Sequence, residues 1–314
     1  MRRFVHNTLL FALLAALFVV LATMLLGGHD RLRNVSYRLG MWDFTHTRIA
    51  EAAQTRDIDI LFLGSSHCYR SFDPRFYAAR GLATFNLGSS NQTPLQSEML
   101  LRLYLDTMRP RLVVVEVHPD VVRIDGVESS IYLTNNMKPS IPMACMALRT
   151  HNARAILTML YSAAHNTLTS DLDSYTEPLT SGGNNYIAGG FVERREGCFS
   201  PEWQSPMTVN FPRAQMRALR SIVDMLGRRG IPCLLVEVPD TRCIRQRYTN
   251  HDEFCSRMAA LAPFRSVEVE ALDDSLHFYD AEHLNQAGVE IFQRVFYDSV
   301  LVPFMNENQL FTNR

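Results

Sequence analysis

The stretch Ile58-Asp59-Ile60-Leu61-Phe62-Leu63-Gly64-Ser65-Ser66-His67 sets the architecture. Ile58–Phe62 is a short apolar run interrupted only by Asp59 and bounded by Gly64, the pattern of a buried strand. Outward from it the same alternation repeats. Thr84–Leu87 predicts a second strand ending at Gly88, and Leu112–Val117 a third, too apolar to have a wet face. Cys233–Val238 predicts a fourth and Val267–Val269 a fifth. Between them lie helical stripes. Gln96–Met108 carries Leu100, Leu101, Leu103, Tyr104 and Met108 before Arg109-Pro110. Phe211–Arg228 carries Leu219, Ile222, Val223 and Leu226, and Asn285–Tyr297 predicts a last helix. Apolar strands alternating with helices imply an α/β fold, a three-layer α/β/α arrangement around a mostly parallel sheet. Ligands of such sheets bind beyond the carboxyl ends of the strands. Those ends are Gly64–His67, Gly88–Asn91, Val117–Asp120 and Val238–Asp240.

The chain has 314 residues, 47% of them apolar, and a formal net charge of −1, which excludes a disordered, collagen-like or disulfide-framework protein. It also lacks the positive charge of a general nucleic-acid binder. Leu9–Leu26 has Thr23 as its only polar side chain, long enough to cross a membrane as an uncleaved anchor. Arg2 and Arg3 before it favour a cytoplasmic amino terminus, while Arg31, Arg33 and Arg38 after it argue the other way. Residues 1–28 contain no acid, so the remainder carries a net −3. The expected organisation is a tip and transmembrane helix at 1–28, a juxtamembrane segment at 29–56, and one domain at 57–314. That domain has an insertion at about 129–205, with helix-like Met143–Ala164 and a Ser/Gly/Asn-rich tract around Ser181–Asn185. The tract reads as a lid or glycan-contact surface over the strand ends, or as a plain solvated loop.

Two short elements carry chemistry. Gly64-Ser65-Ser66-His67 puts a serine just past a strand, where a turn exposes its hydroxyl and a helix start offers N–H groups to an oxyanion. Near the carboxyl end, Asp280-Ala281-Glu282-His283 spaces a carboxylate three residues before a histidine. A serine needs a base to remove its proton, and a histidine base needs a carboxylate to fix its tautomer. Other groupings are weaker. Cys68 reads as a small buried side chain, and His118 with Asp120 or His283 with Asp280 lacks the spacing of a metal motif. No cysteine pair has C-x-x-C spacing, though one bridge among Cys198, Cys243 and Cys255 is open in an oxidising compartment. Arg242, Arg245, Arg247 and Tyr248 read as a solvated face, or one turned to an anionic polymer. No metal or cofactor is expected.

In these blocks the chain resembles the SGNH (GDSL-type) hydrolases and acyltransferases, over about Asp57 to Tyr297. Gly64-Ser65-Ser66 matches the family's Gly-Asp-Ser with serine in the aspartate position, Asn86-Leu87-Gly88 its glycine block, and Asp280-x-x-His283 its terminal block. The resemblance implies a flavodoxin-like fold, catalytic Ser66, Asp280 and His283, and an oxyanion hole from the Ser66 and Gly88 N–H groups. The family's Gly-x-Asn-Asp block is absent. Glu116-Val117-His118-Pro119-Asp120 stands there without an asparagine, and Asn91 or His118 is offered as the replacement donor. That departure is similar to membrane-anchored relatives resembling the D-alanyl transfer protein of teichoic acid synthesis and acetyl-transfer proteins of exopolysaccharide assembly. It implies serine-dependent O-acyl transfer between an acylated donor and a cell-surface or periplasmic glycan, on the outer side of a bacterial inner or cytoplasmic membrane, with a multi-span membrane O-acyltransferase as partner. The alternatives are a carbohydrate or lipid esterase with the same triad, or a non-catalytic glycan-binding scaffold.

Overall fold

The computed structural model describes residues 1–27, 35–40, 43–200 and 203–311. Five strands form a parallel sheet: β1 (Ile60–Leu63), β2 (Thr84–Asn86), β3 (Leu112–Glu116) and, after a separate antiparallel sheet, β7 (Cys233–Glu237) and β8 (Phe264–Ser266). The separate sheet comprises β4 (Thr180–Ser181), β5 (Asn184–Ile187) and β6 (Phe191–Arg194). The main order is β2-β1-β3-β7-β8, so the chain reverses direction of travel across the sheet at β1 and β3, the place where such sheets hold ligands.

Side chains alternate between the two faces. Leu61, Leu63, Val113, Val115 and Leu235 enter one core with the helices Pro94–Met108, Arg213–Arg228 and His251–Ala259. Ile60, Phe62, Leu112, Val114, Leu234 and Val236 enter the other, against Phe72, Tyr77, Phe292 and Phe296. Two covered faces explain why β1, β3 and β7 are apolar along their length, with only Glu116 and Glu237 at the ends of β3 and β7. The expected α/β class is observed.

The fifth strand lies upstream of its predicted position. Leu235 pairs with Phe264 and Glu237 with Ser266, and the pairing ends as Val267 donates its N–H to the Glu237 carbonyl. Val267 and Val269 instead pack at the end of the second core. Met143–Ala164 is two helices, Ile141–Arg149 and Ala153–Leu168. They separate where His151 takes a left-handed φ of 52° and the Asn152 side chain caps the second helix. The Ser/Gly/Asn tract is the β4–β6 sheet, and it covers the outer edge of β2: Asn86 donates its N–H to the Gly189 carbonyl at 2.8 Å. Covering an edge strand removes a template for unwanted pairing. The helix Thr45–Gln54, within the segment read as juxtamembrane, sends Ile49 and Ala52 into the first core.

Arg2–Leu26 forms one helix long and apolar enough to cross a membrane, with its side chains almost all exposed. Its last turns pack on Ala153–Leu168, burying Thr23. Arg31 and Arg33 lie outside the described residues.

Phe292 is fully buried between the sheet and its own helix. Phe292→Ala should cost about 3–5 kcal/mol of unfolding free energy in urea melts of the detergent-solubilised chain. A loss under 1 kcal/mol would mean that this face is not packed as described.

Candidate active site

The turn after β1 is built around Glu116, at the end of β3. Its Oε2 accepts the Ser65 N–H at 2.6 Å and the Ser65 hydroxyl at 2.8 Å. A Cβ on Gly64 would lie 2.5 Å from that oxygen, so only glycine passes there. Ser65 then caps the helix Ser66–Ser71, accepting the His67 N–H at 3.2 Å. Ser66 is thereby left half-buried on the first residue of the helix.

The terminal element reaches the same place. Tyr279 donates its N–H to the His283 carbonyl at 3.1 Å, folding Asp280 and His283 into one tight loop. Asn285 then caps the helix Gln286–Phe296. The Ser66 hydroxyl donates to His283 Nε2 at 2.8 Å, and His283 Nδ1–H faces Asp280 Oδ2 at 2.9 Å and Oδ1 at 3.0 Å. Asp280 Oδ1 also accepts the N–H groups of Glu282 and His283, at 2.9 and 2.8 Å. Burial would raise the Asp280 carboxyl, but the His283 bond and charge and these two N–H groups outweigh it and hold it at about 2. Burial pulls the His283 imidazole below its ordinary value, against the upward pull of Asp280. An ionised carboxylate, a neutral imidazole and a serine hydroxyl in one hydrogen-bonded chain can generate a nucleophile at neutral pH.

An oxyanion has candidate donors. Among the described residues, neither the Ser66 nor the Gly88 backbone N–H has a protein partner. Gly88 lies against the Gly64–Ser66 turn; a Cβ there would sit 2.8 Å from the Ser65 carbonyl oxygen. Of the two replacement donors, Asn91 lines the pocket, its amide donating to Glu128 Oε2 at 3.0 Å. His118 is fully buried with Nε2 on Asp240 at 2.7 Å, and it does not line the pocket, so it is not placed to meet an oxyanion.

The pocket in front of Ser66 has a volume of about 220 Å³. Tyr132 and Tyr279 supply rings; Glu128, Asn91 and Ser90 supply hydrogen-bonding groups; Asp43 and Arg70 close one side as an ion pair of 2.9 Å. The Tyr279 ring stacks on His283 at 5.6 Å and 15°. Asp43, Arg70, Glu128 and Tyr132 were not identified from sequence. They come from segments without a strand end or motif to mark them, except Arg70, four residues past Ser66.

The weaker candidates resolve differently. Cys68 is buried with its thiol on Asn86 Oδ1, and burial pushes that thiol well up, so it is no nucleophile. All six cysteines are free; the bridge among Cys198, Cys243 and Cys255 is not formed. Asp120 pairs with Arg123 and Arg247 rather than with His118 Nε2. Arg247 and Arg245 are thus tied to Asp120 and Glu268, and Arg242 gives its N–H to Asp274.

No protein-family model and no curated protein matches this sequence. Among solved structures, a provisionally assigned platelet activating factor of Streptococcus pneumonia is similar at 11% identity over 81% of this chain and 90% of that one, with a TM-score of 0.42. A provisionally assigned acylhydrolase of Bacteroides fragilis is similar at 12% identity over 83% and 98%, with a TM-score of 0.41. Likeness at this level carries no chemistry.

Because a protonated His283 cannot take the serine proton, reaction at Ser66 should fall as pH drops through the imidazole's lowered value. The acid limb of fluorophosphonate labelling should therefore have its midpoint below 6.5, the ordinary histidine value. Asp280→Asn should slow labelling at neutral pH by roughly 10³–10⁴-fold while leaving the melting curve nearly unchanged. A midpoint above 7 would contradict this arrangement.

Proposed function

We propose that this chain is a membrane-anchored serine O-acyltransferase that moves an acyl group to a glycan hydroxyl through an acyl-Ser66 intermediate. The observation that carries the reading is the chain Ser66–His283–Asp280, closed at 2.8 and 2.9 Å across 217 residues of sequence.

Ser66 Oγ attacks the carbonyl carbon of an ester or thioester donor while its proton passes to His283 Nε2. Asp280 balances the imidazolium. The oxyanion of the tetrahedral intermediate falls to the Ser66 and Gly88 N–H groups, with Asn91 close by in the pocket wall. Collapse breaks the bond to the leaving alkoxide or thiolate, which takes the proton from His283. An acceptor hydroxyl then gives its proton to His283, attacks the acyl-serine and leaves as the new ester, returning the proton to Ser66. The rings of Tyr132 and Tyr279 and the polar groups of Glu128, Asn91 and Ser90 suit a hydroxyl-rich acceptor.

In this reading the helix Arg2–Leu26 is the anchor and the domain faces the periplasm or cell exterior, where such glycans lie. A multi-span membrane O-acyltransferase would deliver the acyl group to the donor side. Hydrolysis is the second reading, with water as acceptor, and the partial exposure of Ser66 favours it.

Fluorophosphonate should label the wild-type chain and leave Ser66→Ala unlabelled; equal labelling of both would remove the serine mechanism. Mass spectrometry of cell-surface glycan from a deletion strain separates the two readings. Lost O-acyl groups fit a transferase, and excess O-acyl groups fit an esterase.

A further inference from the structure

Beneath the triad lies a second group of buried titratable side chains that the acyl-transfer steps do not use. His67 follows the nucleophile, and its ring stacks on His283 at 4.9 Å and 28° and on His118 at 3.9 Å and 17°. Both histidines reach Asp240, beyond the end of β7: His118 Nε2 lies 2.7 Å from Oδ2, and His67 Nε2 lies 3.4 Å from Oδ1. On its other side His67 Nδ1 is 3.1 Å from Ser65 Oγ. His67, His118, Ser65 and Glu116 are all buried, and the Asp240 side chain is 4% exposed.

These contacts constrain where the hydrogens sit. The single hydroxyl hydrogen of Ser65 is committed to the Glu116 carboxylate at 2.8 Å, so His67 Nδ1 must donate to Ser65 Oγ. Among the described residues His67 Nε2 and Asp240 Oδ1 face each other with no other partner. A bare nitrogen would set its lone pair against a buried carboxylate, which is costly, whereas an N–H there points at the negative charge. Burial opposes a charge on His118, yet the Asp240 carboxylate outweighs it and lifts that imidazole to about 10. The stacked pair therefore holds positive charge beside Asp240.

Building on the Ser66 reading above, we propose that His67 is a positioning residue which, with His118 and Asp240, keeps a buried positive charge against the face of His283 and so holds His283 as the free base. The groups facing His283 are few. Its own loop offers Asp280 and Tyr279; the helix Ser66–Ser71 offers Ser66, His67 and Arg70. The groups facing His67 are Ser65, Glu116 and His118 from the ends of β1 and β3, Asp240 after β7, and His283. Burial disfavours the imidazolium most; Asp280 favours it and orients the ring, and His67 and Arg70 add to the opposition. The balance leaves His283 ready to accept a proton yet not already holding one.

The test uses the full chain in detergent, with fluorophosphonate labelling followed from pH 4.5 to 9 and the His283 ring titrated directly by NMR with ¹³C-labelled histidine. In His67→Gln the acid-limb midpoint and the His283 titration should both move up by about one pH unit. The rate above the limb should stay within about fivefold of wild type. A purely structural His67 would instead lower the rate equally at every pH and leave the midpoint in place, which overturns the proposal. If wild type itself is not labelled, the serine reading fails, and an unmoved His283 titration in the variant would separately overturn the role of His67. Should His67→Gln fail to fold, His67→Asn, which keeps a donor near the Nδ1 position, carries the same expectation.

Discussion

A buried carboxylate under a turn organises this molecule. Glu116 takes both the N–H and the hydroxyl of Ser65, at 2.6 and 2.8 Å, and fills the space any side chain on residue 64 would need. Charge-assisted bonds of this kind in a low-dielectric setting fix geometry strongly. Their placement depends on sheet register. Leu63 pairs with Val115, which sets Glu116 beside Gly64; a slip of one residue would turn Glu116 to the opposite face. The orientation of Ser66 is thus inherited from the pairing of β1 with β3.

The same pairing explains how a serine is accommodated at position 65. Serine at position 65 keeps a short polar side chain that can cap the helix Ser66–Ser71 and still donate to Glu116. The segment Glu116-Val117-His118 supplies no asparagine to the pocket. Its polar side chains turn inward instead, Glu116 to the turn and His118 to Asp240. What the pocket gains comes from elsewhere: Asn91 from the loop after β2, and Glu128 and Tyr132 from the helix Val127–Asn135.

Much of this was legible in the residues alone. Strands β1, β3 and β7 announce themselves because burial on both faces leaves runs of four apolar residues, β2 is marked by Gly88 just beyond it, and Asp280 and His283 stand out because three residues bring them onto one loop. Strand β8 was displaced, since Phe264–Ser266 is short and half-exposed and resembles a loop. The break at His151 was hidden because helical periodicity runs through it and a single left-handed residue leaves little trace in composition. Asp43, Glu128 and the inward roles of His67 and Asp240 were out of reach for another reason. Each is defined by a partner tens or hundreds of residues away, and only the folded chain brings them together.

The separation of Ser66 from His283 has a consequence in time. With 217 residues between them, and synthesis at about 5–20 residues per second, on the order of 10–40 s pass between the emergence of the serine and of its base. During that interval the nascent chain carries an ordinary, unreactive alcohol. On the acyl-transfer reading Ser66 gains its base only when the loop bearing Asp280 and His283 docks, so the order in which the segments emerge and fold acts as a safety catch.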